Sequence, residues 1–158
     1  MRLLAVACVC LILSACTDHV VFQQDVQVPE GGWSRSFTPE FTFQVTDTVL
    51  QHDLYIDLRH TGDYPFSDLF LFVDLYGPND RHLRDTVECL LADPTGRWYG
   101  KGTGFIFADR IKAHVLYKLK NRFPAAGSYT IKLEQAMRTE LLAGVIDVGV
   151  SVERSPTK

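Results

Sequence analysis

The sequence offers almost nothing with which to cross-link itself. Only four cysteines occur, and Cys8, Cys10 and Cys16 crowd the N-terminus, so Cys89 stands alone in the remainder. A disulfide scaffold is excluded, and an apolar core has to supply the stability. No Cys-x-x-Cys pair exists, and His19, His52, His60, His82 and His114 fall at no zinc-motif spacing. Asp53 and Asp57 share one side of an extended segment but lie about 13 Å apart there, too far for one ion. A calcium loop of alternating acids is missing, as is the Gly-x-Ser-x-Gly elbow of a serine nucleophile. The 19 acids include no two whose placement marks a glycosidase pair. A net charge of −3 argues against a general nucleic-acid binder. No apolar run reaches the about 20 residues of a membrane-spanning helix, and no segment of helical period has useful length. No cofactor and no small-molecule substrate is indicated.

What is present begins at the N-terminus. Met1-Arg2 carries one positive charge, and Leu3 to Leu13 is an unbroken apolar run. That length suits the central region of a secretory signal. Leu13-Ser14-Ala15-Cys16 then matches a bacterial lipobox: an aliphatic residue, two small ones, and a Cys whose thiol receives a diacylglycerol. The plain alternative is an ordinary cleavable signal with an incidental Cys. The expected division is a lipoprotein signal peptide over 1–15, lipidated Cys16 with a tether over 16–35, a folded domain over 36–154 and a tail over 155–158. The tether expectation rests on Gln23-Gln24, Pro29 and Gly31-Gly32, with few core-forming residues. A lipoprotein Cys bears two or three acyl chains, so anchoring is expected to be lasting. Cys89 reads as a small buried hydrophobe, since nothing local activates its thiol.

Period-two alternation dominates the rest. Phe41, Phe43 and Val45 alternate with Thr42, Gln44 and Thr46, and Leu54, Ile56 and Leu58 with Tyr55, Asp57 and Arg59. Leu69, Leu71, Val73 and Leu75 line one face of a central strand, with Phe70, Phe72, Asp74 and Tyr76 opposite. Further strands are predicted over 82–91, 129–134 and 146–152. Asp93-Pro94-Thr95-Gly96 suits a type I turn. Residues 135–142 are predicted to hold a helical turn or two. About eight strands broken by Gly, Pro and Asp turns predict an all-β fold, an antiparallel β-sandwich of Ig-like or jelly-roll-like type, with signal and tether outside it.

Two surface features follow. From Arg110 to Phe123 the odd positions are mostly apolar, while the even ones include Lys112, His114, Lys118, Lys120 and Arg122. Extended, this is a basic stripe about 40 Å long. It reads as edge protection by lysines, as a merely solvated face, or as a docking surface for an acidic partner or anionic lipid headgroups. Trp98 and Tyr99 precede glycine-rich Gly100 to Gly104; they read as an end plug of the sandwich or as an aromatic binding platform. Charge is also split. Residues 17–80 carry eleven acids against two bases, and residues 81–158 eight against thirteen. Either the halves pair across strands or they present opposite surfaces.

Several stretches, in order and spacing, resemble one family, the gliding-motility lipoprotein GldH family of the Bacteroidetes. They are Asp63-Tyr64-Pro65-Phe66-Ser67-Asp68-Leu69-Phe70-Leu71, Asp85-Thr86-Val87-Glu88, and Leu91 to Gly100. Asn121-Arg122-Phe123-Pro124, Gly127-Ser128-Tyr129-Thr130, Glu134 to Arg138 and Gly144 to Gly149 complete the set. The resemblance implies a non-enzymatic accessory lipoprotein, membrane-anchored in the cell envelope and facing the periplasm. It also implies protein partners from the gliding or type IX secretion machinery. It carries over no catalytic residue. A glycan-binding module using Phe70, Phe72 and Tyr76 is the alternative.

Overall fold

The computed structural model describes residues 19–102 and 110–156. The signal peptide, Cys16, Thr103-Gly104 and the last two residues of the tail lie outside the described residues. Among the described residues eleven strands follow in chain order: β1 (Val20–Gln27), β2 (Trp33–Ser34), β3 (Glu40–Val45), β4 (His52–Thr61), β5 (Asp68–Gly77), β6 (Arg81–Leu90), β7 (Lys101–Gly102), β8 (Arg110–Asn121), β9 (Gly127–Gln135), β10 (Leu141–Leu142) and β11 (Val145–Arg154). One sheet has the order β1-β11-β4-β8-β7 and the other β3-β9-β5-β6, with β10 and β2 pairing separately. Every pairing is antiparallel. The protein is an all-β antiparallel sandwich, as the alternation predicts.

The pleat explains the core. Along β3 exposed and buried residues alternate without a break, putting Phe41, Phe43 and Val45 inside. Leu54, Ile56 and Leu58 of β4 face Leu69, Leu71 and Val73 of β5 and Ile131 and Leu133 of β9 within one apolar cluster. Aromatic rings close both ends. At one, Phe123 packs on Tyr129 at 4.6 Å and on Phe43 at 5.7 Å between centroids. At the other, Trp98 meets His60 edge-on at 4.6 Å, with Tyr64 alongside.

Two expectations are corrected here. The tether over 16–35 is body from residue 20 onward. β1 pairs with β11 from Val20 to Gln27, Phe22 packs on Phe43 at 5.4 Å, and Trp33 is fully buried with its indole N–H donating to Phe37 O at 2.8 Å. An edge strand buries little of either face, and only Phe22 and Val26 of β1 are even partly covered. Its alternation is therefore faint, and backbone pairing with a distant strand holds it. The helical turn over 135–142 is absent. Gln135 instead turns its fully buried amide back, its Nε2 donating to Thr139 O at 2.9 Å and its Oε1 accepting the Met137 N–H at 2.9 Å. These bonds shape a loop leading into β10.

Candidate functional site

Strand β8 is the sequence-marked surface, and its two faces separate only over its first half. Ile111 and Ala113 are buried while Lys112 and His114 are exposed. The β4–β8 register then shifts around Leu54, whose partner is Lys118 while Tyr55 pairs with Leu116. Lys120 adopts φ 50°, and its backbone N–H donates to Asp53 Oδ1 at 2.7 Å. Beyond the irregularity the stripe no longer runs along one face. Tyr117 Oη and Lys118 Nζ both donate to Asp85 Oδ2 of β6, at 2.6 and 2.9 Å, tying the two sheets together. The Asp85 carboxyl is held below the usual carboxylate range, first by the Tyr117 hydroxyl and then by Lys118. Lys118 is thus bound within the fold, whereas Lys112, Lys120 and Arg122 project outward.

His114 is engaged too. Its ring stacks on Tyr55 at 3.9 Å, Nδ1 lies 2.6 Å from Asp57 Oδ1, and Nε2 lies 3.7 Å from Glu153. Asp57 is nearly inaccessible although it stands on the outer face, because neighbouring strands cover it. Its other oxygen accepts the Ser151 hydroxyl. Serine, histidine and aspartate therefore meet, but the hydroxyl donates to the carboxylate and not to the imidazole. Among the described residues no imidazole is placed to take its proton, so the arrangement lacks the nucleophile–base contact of a catalytic triad. A second buried acid, Asp74, accepts His82 Nε2 and Arg84 Nη1 at 2.7 Å each, and Arg84 reaches on to Glu134 at 2.9 Å. Across the charge split, these contacts pair Asp57 and Asp74 of the first half with His114, His82 and Arg84 of the second, and Arg59 of the first half with Asp147 of the second.

Trp98 is half-buried in the end plug described above, while Tyr99 is 60% exposed. Gly100 lets the backbone come close to β8: a Cβ there would collide with Lys112 O and the Ile111 side chain. The Asp93 turn forms as read, with the Gly96 N–H donating to Asp93 O at 2.9 Å. Asp93 Oδ1 also accepts the Thr95 hydroxyl at 2.6 Å, the main reason its carboxyl is held low. The aromatic row of β5 is partly covered by its own neighbours, with Tyr76 still 40% exposed. Arg84 lies 4.6 Å over Phe72, His82 stacks on Tyr76 at 4.5 Å, and Phe70 packs against the core. Cys89 is fully buried and burial pushes its thiol up to about 12. Among the described residues no group of three or more His, Cys, Asp or Glu is placed to hold a metal. No helix there is long and apolar enough to cross a membrane.

The feature that strand periodicity did not signal is a cavity of about 320 Å³ at the Phe123 end. Leu75, Leu83, Phe123 and Tyr129 give it apolar walls; Arg81, His82, Lys118 and Arg122 surround them. Arg81 opens β6 after the β5–β6 hairpin turn, and Arg122 directly follows the end of β8 at Asn121. Their proximity depends on the two sheets facing each other.

Two buried histidines set a pH response. His60 donates through Nδ1 to Thr61 O at 2.9 Å, and burial lowers its pKa. Burial, followed by the Arg154 charge, lowers that of His52. The unfolded chain therefore takes up these protons first as the pH falls through 6.5, so acidification favours unfolding. Asp85 and Asp93, whose carboxyls are held low, contribute stability that is lost mainly as the pH falls through their ordinary 3.8 and below, under that window. The urea midpoint is expected to be lower at about pH 5 than at about pH 7, and His60→Phe is expected to flatten the difference. An unchanged midpoint in the parent protein would contradict this assignment.

Comparison with known proteins adds an independent line. Residues 20–152 match the family model described as GldH lipoprotein. A protein of Christiangramia forsetii named gliding motility lipoprotein GldH homolog is 29% identical over 152 residues, covering 92% of this chain and 90% of that one. A protein of Flavobacterium johnsoniae named gliding motility lipoprotein GldH is 30% identical over 151 residues, covering 91% of each. Among solved structures, part of the GH115 4-O-methyl-α-glucuronidase BtGH115A is similar at a TM-score of 0.48 and 14% identity. That likeness spans 87% of this chain and 18% of the larger protein.

Proposed function

The chain belongs to the GldH lipoprotein family, and from that premise we propose that it is a lipid-anchored, non-enzymatic accessory component of the gliding machinery or an associated type IX secretion-linked assembly. Acyl chains on Cys16 hold it in the cell envelope, where the folded body faces the periplasm and acts through contact with other envelope proteins. The observation that carries this reading is the family match over 20–152, together with the lipobox Leu13-Ser14-Ala15-Cys16 directly upstream. The absence of an enzymatic role is supported by the local chemistry. The Ser151 hydroxyl is engaged by Asp57, and the Cys89 thiol is buried and strongly disfavoured as a thiolate.

The test is Cys16→Ala expressed in the native host. The parent protein is expected in the membrane fraction, with an N-terminal peptide whose mass carries the acyl chains. The variant is expected to lose that modification and shift to the soluble fraction or accumulate with its signal uncleaved. A parent protein recovered soluble, with an unmodified residue 16, would overturn the reading.

A further inference from the structure

The Phe123-end cavity and the start of β1 lie at the same end of the sandwich. Val20 pairs with Glu153, Arg154 pairs with His52, and His52 pairs with Asn121, which lines the cavity. Four residue steps separate Val20 from Cys16, a reach of at most about 14 Å. With β1 built into the sheet, no long tether lifts this end away from the anchor. The cavity opening is therefore kept near the bilayer surface.

Its chemistry is one-sided. Among the described residues no carboxylate lines the cavity. His82 is turned to Asp74 and Lys118 to Asp85. Arg81 and Arg122 are exposed and paired with no acid among the described residues. Asp80, in the neighbouring hairpin turn, is not part of the lining. Two guanidinium groups flanking an apolar recess suit an anion with phosphate geometry joined to a less polar body. A volume of about 320 Å³ admits a headgroup and the glycerol beside it, not whole acyl chains.

We propose that this cavity binds the phosphate-bearing headgroup of an anionic lipid in the membrane that holds Cys16, fixing the orientation of the body on the bilayer. The proposal rests on the anchor reading above, and its test separates the two. The full-length lipidated protein is reconstituted with phosphatidylcholine vesicles, with or without phosphatidylglycerol, and followed by flotation and amide hydrogen exchange. The protein is expected to float with both compositions. Phosphatidylglycerol is expected to slow exchange about fivefold or more over residues 76–83 and 120–124, the slowing given by a site held mostly occupied. Arg81→Gln combined with Arg122→Gln is expected to abolish the slowing while leaving flotation intact; Lys112→Gln, at the far end of β8, is expected to preserve both.

Flotation with both vesicles but identical exchange overturns the headgroup site and leaves the anchor standing. Failure to float with either overturns the anchor and with it this proposal. Protection reproduced in phosphatidylcholine vesicles by inorganic phosphate alone identifies a free-phosphate site and overturns the lipid assignment.

Discussion

Trp33→Ala is expected to lower the unfolding free energy of the mature protein by about 3–5 kcal/mol, and its melting temperature by roughly 10–20 °C. Trp33 is fully buried, within the main apolar cluster. It is paired on β2 with Leu142 of β10, and its indole N–H is satisfied by Phe37 O. Removing it leaves a cavity that the surrounding strands cannot close, because their backbones are fixed by ladders on either side. The measurement is chemical unfolding followed by circular dichroism, since the substitution removes one of only two tryptophans. A loss below about 1 kcal/mol, the scale of a typical surface change, would restore the tether reading of this segment.

Asp57→Ala is expected to cost about 2–4 kcal/mol, more than Asp57→Asn, for which about 1 kcal/mol is expected. The carboxylate accepts from His114 on one side and Ser151 on the other, and Ser151 is itself buried. Alanine leaves that hydroxyl without its partner in a place water does not reach. Asparagine keeps a polar group on both sides: its oxygen still accepts from His114, and its amide donates to the Ser151 oxygen. Equal losses in the two variants would show that the charge, and not the bonding, carries the contribution.

The strands that alternate strongly were legible because burial on one face leaves a record in residue type. β3, β5 and β9 are of this kind: Phe41, Phe43, Leu69, Leu71, Val73, Ile131 and Leu133 all face inward as read. Cys89 was legible for the same reason. β1 was not, because its place is fixed by backbone bonds to a strand more than 100 residues later. Such bonds are nearly indifferent to side chains. The basic stripe was half legible. Alternation is a rule for regular strands, and the irregular pairing around Leu54 and Lys118 breaks it. No pattern within β8 announces that Tyr117 and Lys118 share an acid on the opposite sheet.

The sequence by itself determined the all-β class, the family resemblance and the lipobox, because these depend on residue type at short separations. Tertiary structure decided that residues 20–34 belong to the body, that the buried acids Asp53, Asp57 and Asp74 meet backbone, hydroxyl, histidine or arginine partners, and that Arg81 and Arg122 flank one cavity. Each of those outcomes joins residues far apart in the chain. Antiparallel pairing and the stacking of two sheets bring such residues together, and local periodicity records only which face a residue takes, not what it meets there.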